Sequence, residues 1–232
     1  MLIPLRDQNP GRSFPIVTVA LIVANVVAFF KELQLQASGN MLALQSLMMV
    51  PAEIATGRDL PPAPAPLNAP IITVFTSMFL HAGWLHLIGN MLFLWIFGDN
   101  VEDRLGHFRF LIFYLLCGVI AAMVHVASDP RSTVYTVGAS GAISGVLGAY
   151  MVLFPWAMVQ VLFTIYIVTR IVYLPAWVLL GMWFLFQVLE SGASGTGGGV
   201  AYFAHIGGFA AGVILVWLFV KPRRRTFYRY YG

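Results

Sequence analysis

The stretch GASGAISG, residues 138–145, puts serine and glycine at the head of an apolar run, and 141–169 then holds no charged residue. That run is too long for one crossing of a hydrocarbon core about 30 Å thick, and too short for two crossings with a turn. Pro155 and Trp156 are expected to end a helix over 141–154. Such a helix measures about 21 Å at 1.5 Å per residue. With its inner end at the inner interface, its head and Ser140 lie below the outer surface. The preceding STVYTVGA, 132–139, is then irregular backbone at depth, tolerated only where it is buried in protein or lines a wet cavity. The stretch therefore predicts a cavity open to the outside with a serine on its floor.

Working outward, the composition agrees. The 232 residues are 59% hydrophobic and 9% charged, with a mean hydropathy of +0.84. Soluble domains carry about 25% charged residues, so the expected class is an all-α polytopic membrane protein forming one domain over 1–232. Spans are expected at 14–30, at 84–97 with an upstream extension over 71–83, at 110–127, 141–154, 171–189 and 200–220: six crossings. Residues 14–30 could mimic a signal peptide, but no clear cleavage site follows, so an uncleaved first helix is preferred. Residues 156–170 are left as an interfacial or buried irregular return. On this map the inner segments hold ten of the 13 Lys and Arg residues and the outer segments hold three. That split places both termini inside, and a bacterial-type inner membrane suits it. The basic tail, 221–232, fits attraction to anionic lipid better than nucleic acid.

The outer segment, 31–70, contains MLALQSLMMV, too short to cross and suited to an interfacial or re-entrant helix. DLPPAPAP reads as an extended polyproline spacer. Cys117, the single cysteine, excludes an internal disulfide and reads as filler.

Gly141, Gly145 and Gly148, with Ser144, put small residues at four-residue spacing and on adjacent faces, and Ala204, Gly208 and Gly212 repeat the device in AHIGGFAAG. Small residues let helix backbones approach closely in lipid, so both stretches can be packing seams and nothing more. His205 stands at the start of the second seam. If the seams face each other, Ser140 meets His205, a nucleophile and its base. His86 and Asn90 sit at i and i+4 on one helical face. Core hydrogen bonding explains such a pair equally well. Beside a nucleophile they can instead stabilise an oxyanion together with the Ser140 backbone N–H. Asp129 and Glu190 lie at span ends, so a dyad is expected, with no metal and no cofactor.

These segments resemble the rhomboid intramembrane serine proteases. HAGWLHLIGN, GASGAISG and AHIGGFAAG are similar to the three signature segments of that family, and VEDRLG to its inner loop. The resemblance covers about 71–220. It implies a serine endopeptidase with Ser140 as nucleophile, His205 as general base and acid, and His86, Asn90 and the Ser140 N–H as oxyanion stabilisers. Its substrates would be single-span proteins in the bilayer. His81 matches a structural histidine, and Glu102 and Arg104 an architectural pair. Two positions depart from the pattern. Ile72-Thr73 stands where a Trp-Arg pair is common, and Ser144 where an aromatic residue usually stacks on the histidine. The competing reading is a non-catalytic rhomboid-like protein that binds unstable membrane helices.

Overall fold

The computed structural model describes residues 2–165, 168–193 and 201–220. Among these residues β1 (Leu2–Asp7) precedes α1 (Ile16–Ala37), and three short helices follow: α2 (Met41–Gln45), α3 (Pro51–Thr56) and α4 (Thr73–Thr76). Then come α5 (Trp84–Leu105), α6 (His107–Ser128) and α7 (Ser140–Leu153). A hairpin of β2 (Met158–Ile165) and β3 (Val168–Pro175) leads into α8 (Ala176–Ala193), and α9 (Tyr202–Phe219) follows. The basic tail lies outside the described residues.

Six apolar runs give six helices, yet only α1, α6 and α9 are long and apolar enough to cross a membrane alone. A fourth span forms if α5 is taken with Pro70–Phe79, which meets it at an 80° bend. α7 and α8 are shorter. Length and composition thus support three or four self-sufficient spans rather than six. The expected helix at 141–154 is in place within one residue at each end.

The all-α expectation is corrected by the sheet, which is antiparallel in the order β1-β2-β3. It absorbs most of the leftover return and shortens the expected fifth span, since 171–175 belong to β3. The cause is a period of two that hydropathy alone hides. Val159 and Val161 are fully buried, Gln160 stands between them, and they pair with Leu174 and Val172. Ile171 and Tyr173 face outward, as alternation along a strand requires. Pro4 sits in an edge strand, where its missing N–H costs least.

Two carboxylates, the fully buried Glu102 and the half-buried Asp7, tie this end of the bundle together. Glu102 accepts from the Thr18 amide and hydroxyl at 2.7 Å each and from the Val17 amide at 2.9 Å. Those are amides of the first turn of α1 that have no partner within the helix. His107 Nδ1 lies 2.5 Å from the same carboxylate. Asp7 accepts from Tyr150 Oη at 2.5 Å and Asn100 Nδ2 at 2.9 Å, which fastens β1 to α7 and α5. Burial pushes the Asp7 carboxyl above its usual range, against the opposing pull of the Tyr150 hydroxyl.

The segment over 31–70 is more folded than expected. The helix begun by MLALQ lasts five residues, and Met49 then bridges to Thr136. DLPPAPAP is no extended spacer: Leu60 N–H donates to Glu53 and Ala65 N–H to Asp59, folding the segment back.

Candidate active site

α7 is buried on all sides from Gly141 to Tyr150, which an amphipathic surface helix never is. Its glycines decide what it touches. A methyl on Gly208 of α9 would run into the Gly141 carbonyl oxygen, and one on Gly212 into that of Gly145. The two helices therefore meet backbone to backbone, as the seams predict. A Cβ on Gly141 would lie 2.7 Å from the Ala121 methyl. Ala121 is seven residues short of the C-terminal end of α6 at Ser128. At 1.5 Å per residue the head of α7 thus lies about 10 Å below that end.

The loop before α7 is pinned at this depth. Gly138 N–H donates to Ser77 O at 2.9 Å. His125 Nε2 lies 3.2 Å from Thr136 Oγ1, and the Met49–Thr136 bridge holds the other edge. Gly138 itself has φ +132°, a conformation few side chains adopt. A Cβ there would meet His86 Nε2 at 2.9 Å and Ser140 Oγ at 3.5 Å. His86 and Ser140 thus converge on one empty corner.

Ser140 Oγ and His205 Nε2 stand 2.8 Å apart, within hydrogen-bond distance. On the far side of the ring, His205 Nδ1 lies 2.6 Å from Gln187 Oε1. An amide oxygen only accepts, so Nδ1 carries the ring proton and Nε2 offers a lone pair to the Ser140 hydroxyl. His86 has the opposite arrangement. Ala82 N–H donates to its Nδ1 over a long 3.4 Å, which leaves Nε2 as its donor. Asn90 is 8% exposed, and its Nδ2 has no partner among the described residues. His86 Nε2 and the N-terminus of α7 therefore both lie beside Ser140, where donors of this kind can stabilise negative charge on an oxygen, and Asn90 stands one turn further along α5 on the same face.

The other expected residues fall as follows. His81 is 1% exposed with neither ring nitrogen bonded among the described residues, its ring edge-on to His86 at 5.1 Å, and its backbone N–H donates to Glu32. Ser144 does not touch the histidine: its hydroxyl donates to Ser140 O at 2.6 Å, one turn back. Trp183 of α8 stands by the ring instead, at 5.9 Å between centroids and 37° between planes. Cys117 is a buried free thiol against Gly145.

The sequence reading missed Gln187 and Trp183. A signal existed: Gln187 is the one amide in AWVLLGMWFLFQVL, 176–189, and polar groups inside spans are expensive. Beside Ser140 lies a cavity of about 40 Å³ walled by Met78, Gly118, Ala121, Gly141 and Ala142. A larger hollow of about 250 Å³ near Ile54 and Asn68 shares no residue with this site.

Comparison with known proteins covers the same ground. A Rhomboid domain matches residues 68–222. Rhomboid-like protein 11, chloroplastic, of Arabidopsis thaliana is 35% identical over 158 residues, 63% of this chain and 51% of that protein. The rhomboid protein YdcA of Bacillus subtilis is 31% identical over 156 residues, 66% of this chain and 70% of its own length. Rhomboid-like protease 3 of Toxoplasma gondii is 32% identical over 162 residues, 68% and 56% respectively. The chain spans about half the length of the first and third of these. The matched region begins before His81 and His86 and ends after the α9 seam, so it takes in every residue of the Ser140 site, and the chain belongs to the rhomboid family.

Proposed function

We propose that this protein is an intramembrane serine endopeptidase acting through a Ser140–His205 dyad. The observation that carries the reading is the 2.8 Å contact between Ser140 Oγ and His205 Nε2 at the head of a short, buried helix. Nε2 takes the hydroxyl proton as Ser140 Oγ attacks a peptide carbonyl carbon. The oxyanion rests among His86 Nε2–H, Asn90 Nδ2–H and the Ser140 N–H. Collapse of the tetrahedral adduct expels the amine, which takes the proton from Nε2. Water then attacks the acyl ester, gives a proton to Nε2 and releases the acid, and Oγ recovers its proton. The 40 Å³ cavity has room for about two or three waters or a methyl-sized side chain.

Depth sets the substrate class. A helix hides its carbonyls in i to i−4 bonds, so the scissile segment must be unwound, and unwound backbone is costly in lipid. The substrates proposed are single-span proteins cut near the outer membrane boundary, with small residues at the cut and helix-weakening Gly or Pro below it. Six crossings with both termini inside, in a bacterial-type inner membrane, complete the proposal.

The test is purified protein against a panel of single-span substrates, with Ser140→Ala and His205→Ala as controls and a fluorophosphonate adduct mapped by mass spectrometry. Cleavage lost in both variants and an adduct on Ser140 are expected. An adduct on Ser144, or turnover in Ser140→Ala, overturns the assignment. Binding of unstable helices without cleavage by the unaltered protein would favour the non-catalytic alternative.

A further inference from the structure

His205 is held by α8 as well as by the α7 seam, and the α8 hold carries an inference of its own. Gln187 lies eleven residues into α8 from Ala176, about 17 Å at 1.5 Å per residue. An amide at that depth costs free energy unless it is bonded. Its Oε1 is spent on His205 Nδ1 at 2.6 Å. Trp183, one turn earlier on the same face, packs against the ring of His205 and that of Phe209, and Phe184 stacks on Phe209 at 4.6 Å. The α8 face of Trp183, Phe184 and Gln187 is thus seated on the α9 face of His205 and Phe209.

We propose that Gln187 is the positioning residue of the His205 base. The proposal rests on the reading of Ser140 and His205 as the dyad. Gln187 touches neither substrate nor Ser140. It acts through the imidazole, fixing the Nδ1–H tautomer and the ring plane so that the Nε2 lone pair points at Ser140 Oγ. In serine proteases with a carboxylate at this position, the partner's first duty is also to hold the tautomer. Here a neutral amide does that work, and Trp183 supplies the face contact that Ser144 is too small to make. The opposite amide orientation would set an NH2 group against Nδ1 and force the proton onto Nε2, leaving no lone pair for the serine.

The experiment compares the full-length protein with Gln187→Leu, which keeps the length and removes the acceptor, and Gln187→Glu, which keeps an acceptor. Two readouts are taken on each in detergent or nanodiscs: kcat and KM on a cleaved single-span substrate, and the 15N shifts of His205 in histidine-labelled protein. Gln187→Leu is expected to lower kcat by on the order of 10–100-fold with little change in KM, the range seen when the partner orienting a metal-bound histidine is removed. Its His205 is expected to become a mixture of tautomers. Gln187→Glu is expected to keep most of the activity and the Nδ1–H form. Folded Gln187→Leu with kcat within about twofold of the parent, or with the Nδ1–H tautomer intact, overturns the proposal. So does folded Gln187→Glu as inactive as Ser140→Ala, and this variant decides if the leucine form does not fold. Absence of a Ser140 adduct in the unaltered protein would count against the dyad alone, since the 15N readout reports on Gln187 without turnover.

Discussion

The α7–α9 contact and the α8–α9 contact grip one histidine from two sides, and they do so in different ways. Between α7 and α9 the backbones touch: any Cβ on Gly208 or Gly212 would collide with a carbonyl of α7. Between α8 and α9 side chains meet side chains, through Trp183, Phe184 and Gln187 against His205 and Phe209. A backbone contact has almost no freedom, so it fixes how far Ser140 stands from His205. A side-chain contact can be broken by one rotamer, so it fixes how the imidazole is turned. The first is architecture and the second is adjustment.

The largest expected effect breaks the first contact. Gly208→Val should prevent the helices from closing, because even one methyl overlaps the Gly141 carbonyl oxygen, and overpacked cores lose about 1–3 kcal/mol or more. The expected outcome is loss of a monodisperse folded species by size-exclusion chromatography and loss of Ser140 labelling. A well-folded, active Gly208→Val would show that the seam is not tight.

Next, Trp183→Ala should leave the fold intact and slow turnover by about tenfold. Aromatic contacts of this kind contribute about 0.5–1.5 kcal/mol beyond area, and the Gln187 bond remains. kcat at matched melting temperature checks this. An unchanged rate would mean that the ring of Trp183 does not help to hold His205.

A smaller effect is expected for Ser144→Ala. Among the described residues its hydroxyl bonds to Ser140 O alone, a net contribution of about 0.5–1.5 kcal/mol. Tm should fall slightly and kcat should stay within about threefold. A dead enzyme would mean that this residue, and not α8, takes the place of the family's aromatic.

The smallest effect concerns the sheet that carries the base of α8. The Asp7 carboxyl is raised by burial, so the folded form prefers it protonated. Its contribution to stability is full below the ordinary carboxylate pKa and is lost as pH rises through the raised value. Tm should therefore decline over that mildly acidic window. Asp7→Asn should flatten this part of the curve, and an identical curve in the variant would exclude Asp7 as its source.

Much of this site can be read without coordinates. Ser140, His205, His86 and Asn90 announce themselves because polar groups are rare in apolar runs, and the Gly and Ala spacings say which backbones approach. Gln187 obeys the same rule, but one amide in a hydrophobic helix has no partner that a linear reading can name. The hairpin over 158–175 was hidden for another reason. Its valines are as apolar as a span, and only pairing with β1 and with each other distinguishes them.

Sequence by itself therefore determined the class, the short helix headed by Ser140 and the choice of Ser140 and His205 as the candidate pair, because burial cost and helical periodicity are local quantities. Tertiary structure alone decided that Ser140 and His205 touch at 2.8 Å, that the other ring nitrogen faces Gln187, and that Trp183 takes the place left by Ser144. Those are distances between helices far apart in the chain, set by which surfaces fit, and no residue carries that information alone.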